Sequence, residues 1–396
     1  MPSTDVDGRR GGRSQGSDAD TLTRHFGTAD GLLPLWIAEP SVDVADCIRI
    51  ALADRCGSGW FGYETRPAHV LEAFWEWMSS RHGWDGVDLH TSVSPSVGTS
   101  LGVLIDELTT DGAGVIIQPP DFTDFKTIIT DQRRVVVRNP LVLSDDGYRI
   151  DLDRLAEVAS DPANELMILC SPHNPVGRVW THRELATVAR ICAEHGVTVL
   201  ADEIHADLAL PPHRFVPFAA AAAGTGARWA AAHGPIKTFG LAGACDTLVV
   251  TDDDEIAERF RAVSSSIHLT RNNVFAIAAF DAAYRDGAGW LDGFLELIGH
   301  NIALLAAGLP DDVELVTPEG TYLAWLDLRG LGLAVPEIAG WLASSAGLAL
   351  SPGHWFGREG AGFARMTVAS PSATIERAVD QLRSAAGHRG GPPSLE

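Results

Sequence analysis

The spacing of apolar positions changes along this chain, and each change marks an element. Val44, Ile48, Ile50, Ala51 and Leu52 predict a helix from about Val42 to Arg55, and a second runs from Pro67 to about Arg81. Between them lies the glycine-rich aromatic link Gly57-Ser58-Gly59-Trp60-Phe61-Gly62-Tyr63. Short β-rich runs then alternate with helical stretches: Gly114 to Gln118, Arg134 to Arg138, Leu166 to Ser171, Val197 to Asp202, Trp229 to His233 and Thr247 to Thr251. This alternation predicts a mainly parallel sheet with helices on both faces.

After about Asp253 the pattern is helical as far as Leu309. A strand-rich portion follows at Val313 to Val316, Thr321 to Leu328, Leu348 to Ser351 and Phe363 to Val368, and an amphipathic helix from about Ser372 to Ala386 closes it. Mixed strands and helices after a long helix predict a second, smaller α+β domain, which the N-terminal segment joins. The expected division is a small domain of residues 21–55 and 290–387 and a large domain of 56–289. Residues 1–20 are Gly, Ser, Asp and Arg with almost nothing apolar, so a disordered tail is expected there, with a flexible tail at 388–396.

At 396 residues the chain is of ordinary enzyme size and can bury a sizeable core. Its formal net charge of -22 argues against nucleic acid or anionic membrane as a partner, since both attract Lys/Arg patches. The five cysteines, Cys47, Cys56, Cys170, Cys192 and Cys245, show neither disulfide nor metal-ligand spacing, which fits a reducing cytoplasm and no bound metal. Arg9 and Arg10 are not followed by the apolar region an export signal needs.

In a parallel sheet, ligands sit beyond the carboxyl ends of the strands. Three apolar runs end in chemistry: Met167 to Cys170 leads into Ser171-Pro172-His173-Asn174-Pro175-Val176-Gly177, Val197 to Ala201 into Asp202-Glu203-Ile204-His205, and Trp229 to His233 into Gly234-Pro235-Ile236-Lys237-Thr238-Phe239. A carboxylate, an amide and an amine thus converge on one edge. Taken singly, each has a bland reading, with Asp202 capping a turn, Asn174 starting a loop and Lys237 solvated at the surface. Val97, Gly98 and Thr99 lie where a turn feeds a helix ending near Leu108, and helix-start amides with a hydroxyl suit a phosphate.

Taken together and in order, these residues resemble the fold-type I enzymes dependent on pyridoxal 5′-phosphate (PLP), the class I/II aminotransferase superfamily, and within it the cystathionine β-lyase-like carbon–sulfur lyase branch. The resemblance rests on Pro34 to Glu39, Cys170 to Thr181, Asp202 to Leu208, Lys237-Thr238-Phe239 with Leu241-Ala242-Gly243, Pro318 to Asp327, and Trp355-Phe356-Gly357. It covers roughly Leu33 to Leu382. It implies an α/β fold with a mainly parallel seven-stranded sheet in the large domain, and PLP as cofactor.

Residue by residue, the resemblance implies that Lys237 is the catalytic Schiff-base lysine and that Asp202 keeps the pyridine nitrogen protonated. Asn174 would bond the ring hydroxyl, and His205 stands where many aminotransferases have a tyrosine. Phe122 would stack on the ring without the hydroxyl of the more usual tyrosine. Arg365 would grip the substrate α-carboxylate, with Ala38 beside it. Tyr63 would reach the phosphate of a neighbouring subunit, implying a homodimer with shared sites. Arg271 either crosses that interface or is a surface arginine. Gly234 and Ile236 depart from the pattern, since hydroxyl residues usually stand at one or both of these positions, and Ser96 replaces a glycine.

The implied reaction is α,β-elimination from an S-substituted cysteine to thiol, pyruvate and ammonia. Transamination or decarboxylating oxidative deamination of a thioether amino acid in secondary metabolism stays open beside it. So does a non-catalytic binding role on the same fold.

Overall fold

The computed structural model describes residues 14–86, 88–269 and 272–387. Its central sheet has seven strands: β1 (His90–Ser94), β2 (Gly114–Ile117), β3 (Val135–Arg138), β4 (Asn164–Cys170), β5 (Thr198–Asp202), β6 (Trp229–His233) and β7 (Thr247–Thr251), in the order β1-β7-β6-β5-β4-β2-β3. β7 runs antiparallel to β1 and β6, and the remaining neighbours pair in parallel.

The inner strands read as continuous apolar runs because both faces are covered. Alternate residues part to opposite sides. Leu166, Ile168, Leu200 and Ala230 pack with Leu101, Leu104, Phe125 and Phe260, while Met167, Leu169, Val199 and Ala231 pack with Phe74, Phe280 and Leu185. Burying each large side chain contributes roughly 1.5–3 kcal/mol, so register is held from both faces.

A second, antiparallel sheet comprises β8 (Glu314–Val316), β9 (Leu323–Asp327), β10 (Ser351–Pro352) and β11 (Phe363–Thr367), in the order β8-β9-β11-β10. The long helix Ala288–Gly308 packs against the closing helix Ser372–Gly387. Leu33 and Pro34 pair in parallel with Leu348 and Ala349, which carries the following Trp36-Ile37-Ala38 towards the second sheet.

Three differences from the sequence reading have local causes. The helix expected from Val42 begins at Asp46, because Ser41 N–H is held by Ala369 O at 2.7 Å and Ala45 stays extended. Strand β1 lies at the sheet edge, and its half-polar His90-Thr91-Ser92-Val93-Ser94 offers no apolar run to notice. Of the expected disordered tail 1–20, residues 1–13 lie outside the described residues, but residues 14–20 are ordered. Asp18 caps the helix Ala19–Phe26, Ser14 Oγ donates to Glu39 at 2.7 Å, and Trp36 Nε1 donates to Gly16 O at 2.9 Å. Polar bonds to distant residues fix a stretch that composition alone marks as unable to pack. The tail 388–396 also lies outside the described residues.

Candidate active site

The carboxyl ends of β4, β5 and β6 lie side by side, with Cys170 opposite Asp202 and Asp202 opposite Ala232. After β6, Pro235 starts a one-turn helix, Ile236–Phe239, which Gly240 ends at φ 70°. Lys237 stands on this turn. Its Nζ donates to Ala38 O at 2.9 Å, and the same carbonyl accepts the Tyr322 hydroxyl at 3.1 Å. Burial and the nearby Arg365 lower the lysine pKa, opposed by Asp202, Glu39 and Asp124. A cavity of about 480 Å³ opens beside this amine, between Ala38, Glu39, Ile236 and Tyr322.

Asp202 is buried at the end of β5, and burial pushes its carboxyl up to about 6 against the Ile204 amide and the Lys237 charge. His205 is buried too, and burial with the cations Lys237 and Arg365 drives its pKa well down, so the imidazole is neutral. Its Nδ1 has no hydrogen-bond partner among the described residues.

Arg365 comes from β11 and reaches across to the loop after β4. Its Nη1 donates to Asn174 Oδ1 at 3.0 Å and its Nη2 to Trp36 O at 2.7 Å, while the guanidinium lies over the Phe356 ring at 4.8 Å. Burial lowers its pKa to about 10, so it stays charged at neutral pH. Lys237, Asp202, Asn174, His205, Ala38 and Arg365 are therefore gathered at one edge, with an amine, a carboxylate, a neutral imidazole and a fixed cation.

Val97, Gly98 and Thr99 open the helix Val97–Leu108 as expected, but Ser96 Oγ already accepts Thr99 N–H at 3.1 Å and lies 3.0 Å from Thr99 Oγ1. This corner adjoins the lysine turn: Ser94 pairs with Thr247, and a Cβ on Gly234 would lie 3.2 Å from Thr247 Cα. A side chain at 234 would need Thr247 to give by a few tenths of an ångström. Phe122 directly precedes the helix Thr123–Asp131, with no side-chain capping bond, and meets Phe125 edge-on at 5.5 Å. Tyr63 is 83% exposed on the glycine-rich link. Arg271 lies outside the described residues.

The family described as Aminotransferase class I and II matches residues 32–382. The chain belongs to this family. Among its relatives, cystathionine beta-lyase PatB of Bacillus subtilis (strain 168) is 35% identical over 369 residues, 91% of this chain and 94% of PatB. A PLP-bound protein from Clostridium difficile 630 superposes with a TM-score of 0.90 at 32% identity, covering 96% of this chain and 97% of that one. Cystalysin from Treponema denticola, whose crystal structure contains pyridoxal 5′-phosphate, gives a TM-score of 0.87 at 26% identity, covering 93% and 95%. The two-sheet α/β architecture is thus the fold of PLP-bound members of the family.

Sequence reasoning gave no role to Tyr322, Trp36, Ser351 or Phe356. All four support Lys237 or Arg365: Tyr322 shares Ala38 O, Trp36 O binds Arg365, Ser351 Oγ donates to Trp36 O at 2.8 Å, and Phe356 lies beneath the guanidinium. The strings Pro34 to Glu39, Pro318 to Asp327 and Trp355-Phe356-Gly357 contained three of them. A contact through a backbone carbonyl, as at Trp36, leaves no residue-type signal.

Proposed function

We propose that this protein is a PLP-dependent carbon–sulfur lyase that cleaves an S-substituted, cystathionine-like cysteine by α,β-elimination. The overall change consumes one water and releases the thiol, pyruvate and ammonia. The observation that carries the reading is the single edge on which Lys237 Nζ, the buried Asp202, His205 and the Asn174–Arg365 pair converge, in a chain 35% identical to a cystathionine beta-lyase.

The residues fit the cofactor. A buried carboxyl raised to about 6 is short of positive charge, and a protonated ring nitrogen supplies it. The unpartnered His205 Nδ1 is a second polar atom awaiting a neighbour. When bound, PLP supplies a ring that accepts the electron pair released at the substrate Cα.

Lys237, its pKa lowered, takes the Cα proton once its nitrogen is free. Arg365 receives the α-carboxylate on its planar guanidinium, and the Phe356 ring 4.8 Å beneath it limits where that group can lie. Arg365 fixes the Asn174 amide by donating to its Oδ1 at 3.0 Å, which leaves Nδ2 as the donor that would bond the ring hydroxyl. Ala38 O holds the free amine at 2.9 Å, the form in which it would meet the cofactor. Phe122 would serve as the stacking ring, and Val97, Gly98 and Thr99 would hold the phosphate end.

The assembly in this reading is a homodimer in which the exposed Tyr63 reaches the partner's phosphate site. The parallel pairing of Leu33 and Pro34 with Leu348 and Ala349 supports a small domain of residues 21–55 and 290–387 beside a large one of 56–289. No helix among the described residues is long and apolar enough to cross a membrane, and the setting proposed is the cytoplasm.

The test is product analysis. Purified, PLP-loaded protein given cystathionine or S-conjugated cysteines should release thiol and pyruvate in equal amounts, and Lys237→Ala should abolish both. Release of neither thiol nor pyruvate across the panel overturns the reading. Phe122, Gly234 and Ile236 favour keeping transamination as the second outcome, recognised by conversion of the cofactor to pyridoxamine phosphate; carbon dioxide release with oxygen uptake marks decarboxylating deamination.

A further inference from the structure

A one-turn helix cannot hold its own shape, because nucleating a turn fixes several dihedrals for a single hydrogen bond. Lys237 nevertheless sits on one, Ile236–Phe239, between Pro235 and Gly240. Something outside the turn must set its position. Phe239 is buried against Trp290 and Trp77, with ring centroids 5.6 and 6.0 Å apart, which places the turn's apolar side. Apolar packing does not fix rotation and height to the fraction of an ångström that proton transfer requires.

The residue after the lysine supplies a directional contact. Thr238 is buried, and its hydroxyl donates to Asp207 Oδ2 at 2.9 Å. Asp207 lies on the 3₁₀ turn Ala206–Leu208, directly after His205 and five positions beyond Asp202. Its other oxygen accepts Trp77 Nε1 at 2.7 Å and His82 Nε2 at 2.8 Å, both from the helix Ala68–His82 behind the sheet. Burial alone would raise the Asp207 pKa, yet the bonds from His82, Trp77 and Thr238 hold it below the ordinary value, so the carboxylate is charged. A buried carboxylate with directed donors on both oxygens has little freedom to shift.

We infer that Asp207 is a positioning residue: through Thr238 it ties the turn bearing Lys237 to the segment bearing Asp202 and His205, and Trp77 and His82 brace it from behind. Neither Asp207 nor Thr238 is assigned contact with substrate or cofactor. Their role is to keep the amine and the ring-side carboxylate in one frame. The inference rests on the lyase reading above and adds to it residues outside the site itself.

Thr238→Val keeps shape and removes the donor, whereas Thr238→Ser keeps the donor. With PLP-loaded protein and cystathionine, Thr238→Val should lower kcat about 10- to 100-fold with KM changed less than about twofold, the range expected of a sub-ångström misplacement of a reacting group. It should also change the visible circular dichroism of the bound cofactor, which a loss of stability alone leaves untouched. Thr238→Ser should restore both. Asp207→Asn in the Thr238→Val background should cost less than in the wild type, since the contact is already gone.

Where Thr238→Val does not accumulate folded, Trp77→Phe, which removes one donor from the other oxygen, takes its place with the same spectral change expected. Wild-type kcat and dichroism in Thr238→Val, or in Trp77→Phe where that takes its place, overturns the inference, as does equal impairment of the Val and Ser variants. A wild type that takes up no PLP sinks the lyase reading and this inference with it. A loaded, active wild type matched by Thr238→Val sinks this inference alone.

Discussion

A carboxyl removed from water prefers to keep its proton, and Asp202 carries that preference to about 6. An aspartate in an unfolded chain titrates near ~3.9. The cofactor-free folded protein therefore holds this proton more tightly than the unfolded chain. The contribution to stability is fully present below the unfolded value and is lost as pH rises through about 6. The difference corresponds to roughly 3 kcal/mol. Thermal melting of the cofactor-free protein should accordingly lose stability between about pH 4 and about pH 6, and Asp202→Asn should flatten that slope. Superimposable pH profiles for the two proteins would mean that Asp202 is not the group responsible. With a protonated ring nitrogen beside it the preference reverses, so PLP should also bind more tightly above pH 6 than below it.

At the scale of elements, the site depends on how each strand ends. The loop Ser171 to Gly177 carries Asn174 out of β4 and turns back at Gly177, whose φ is 74°. A Cβ there would sit 2.6 Å from Pro318 Cβ and 2.9 Å from Pro318 Cα, and the Gly177 carbonyl accepts the amides of Glu319 at 2.8 Å and Gly320 at 2.9 Å. Gly177→Ala should therefore cost about 2–4 kcal/mol, from the left-handed backbone and the contact with Pro318 combined. Urea unfolding reads this directly, and an unchanged midpoint would show that the loop yields. The same elements show what a sequence makes legible. The inner strands could be read because both faces are apolar, and Asn174, Asp202 and Lys237 could be read because each lies within four residues of the end of such a run. The anchors could not. Lys237 meets Ala38 across 199 positions and Trp77 meets Asp207 across 130, through a backbone carbonyl in one case and an indole in the other. Neither contact leaves a spacing in the chain. The edge strand β1, with one apolar residue, was silent for the same reason that inner strands were plain.

For the molecule as a whole, the link between the helices Asp46–Gly57 and Ala68–His82 shows three aromatic rings to solvent. Trp60 and Phe61 are each 53% exposed and Tyr63 is 83% exposed, while Phe61 stacks on Phe275 at 5.5 Å. In the proposed homodimer a second copy covers this aromatic patch. Covering it about a two-fold axis carries each Tyr63 towards the other subunit, and in the proposed assembly every site takes its lysine from one chain and this phenol from the other. Hybrid dimers test that arrangement. Lys237→Ala and Tyr63→Ala proteins should each be nearly inactive alone. Unfolded together and refolded as an equal mixture, half the dimers are hybrids, each with one site holding both wild-type residues, so about a quarter of wild-type activity should return. Recovery no greater than the sum of the separate proteins would place Tyr63 in its own subunit's site, or in none.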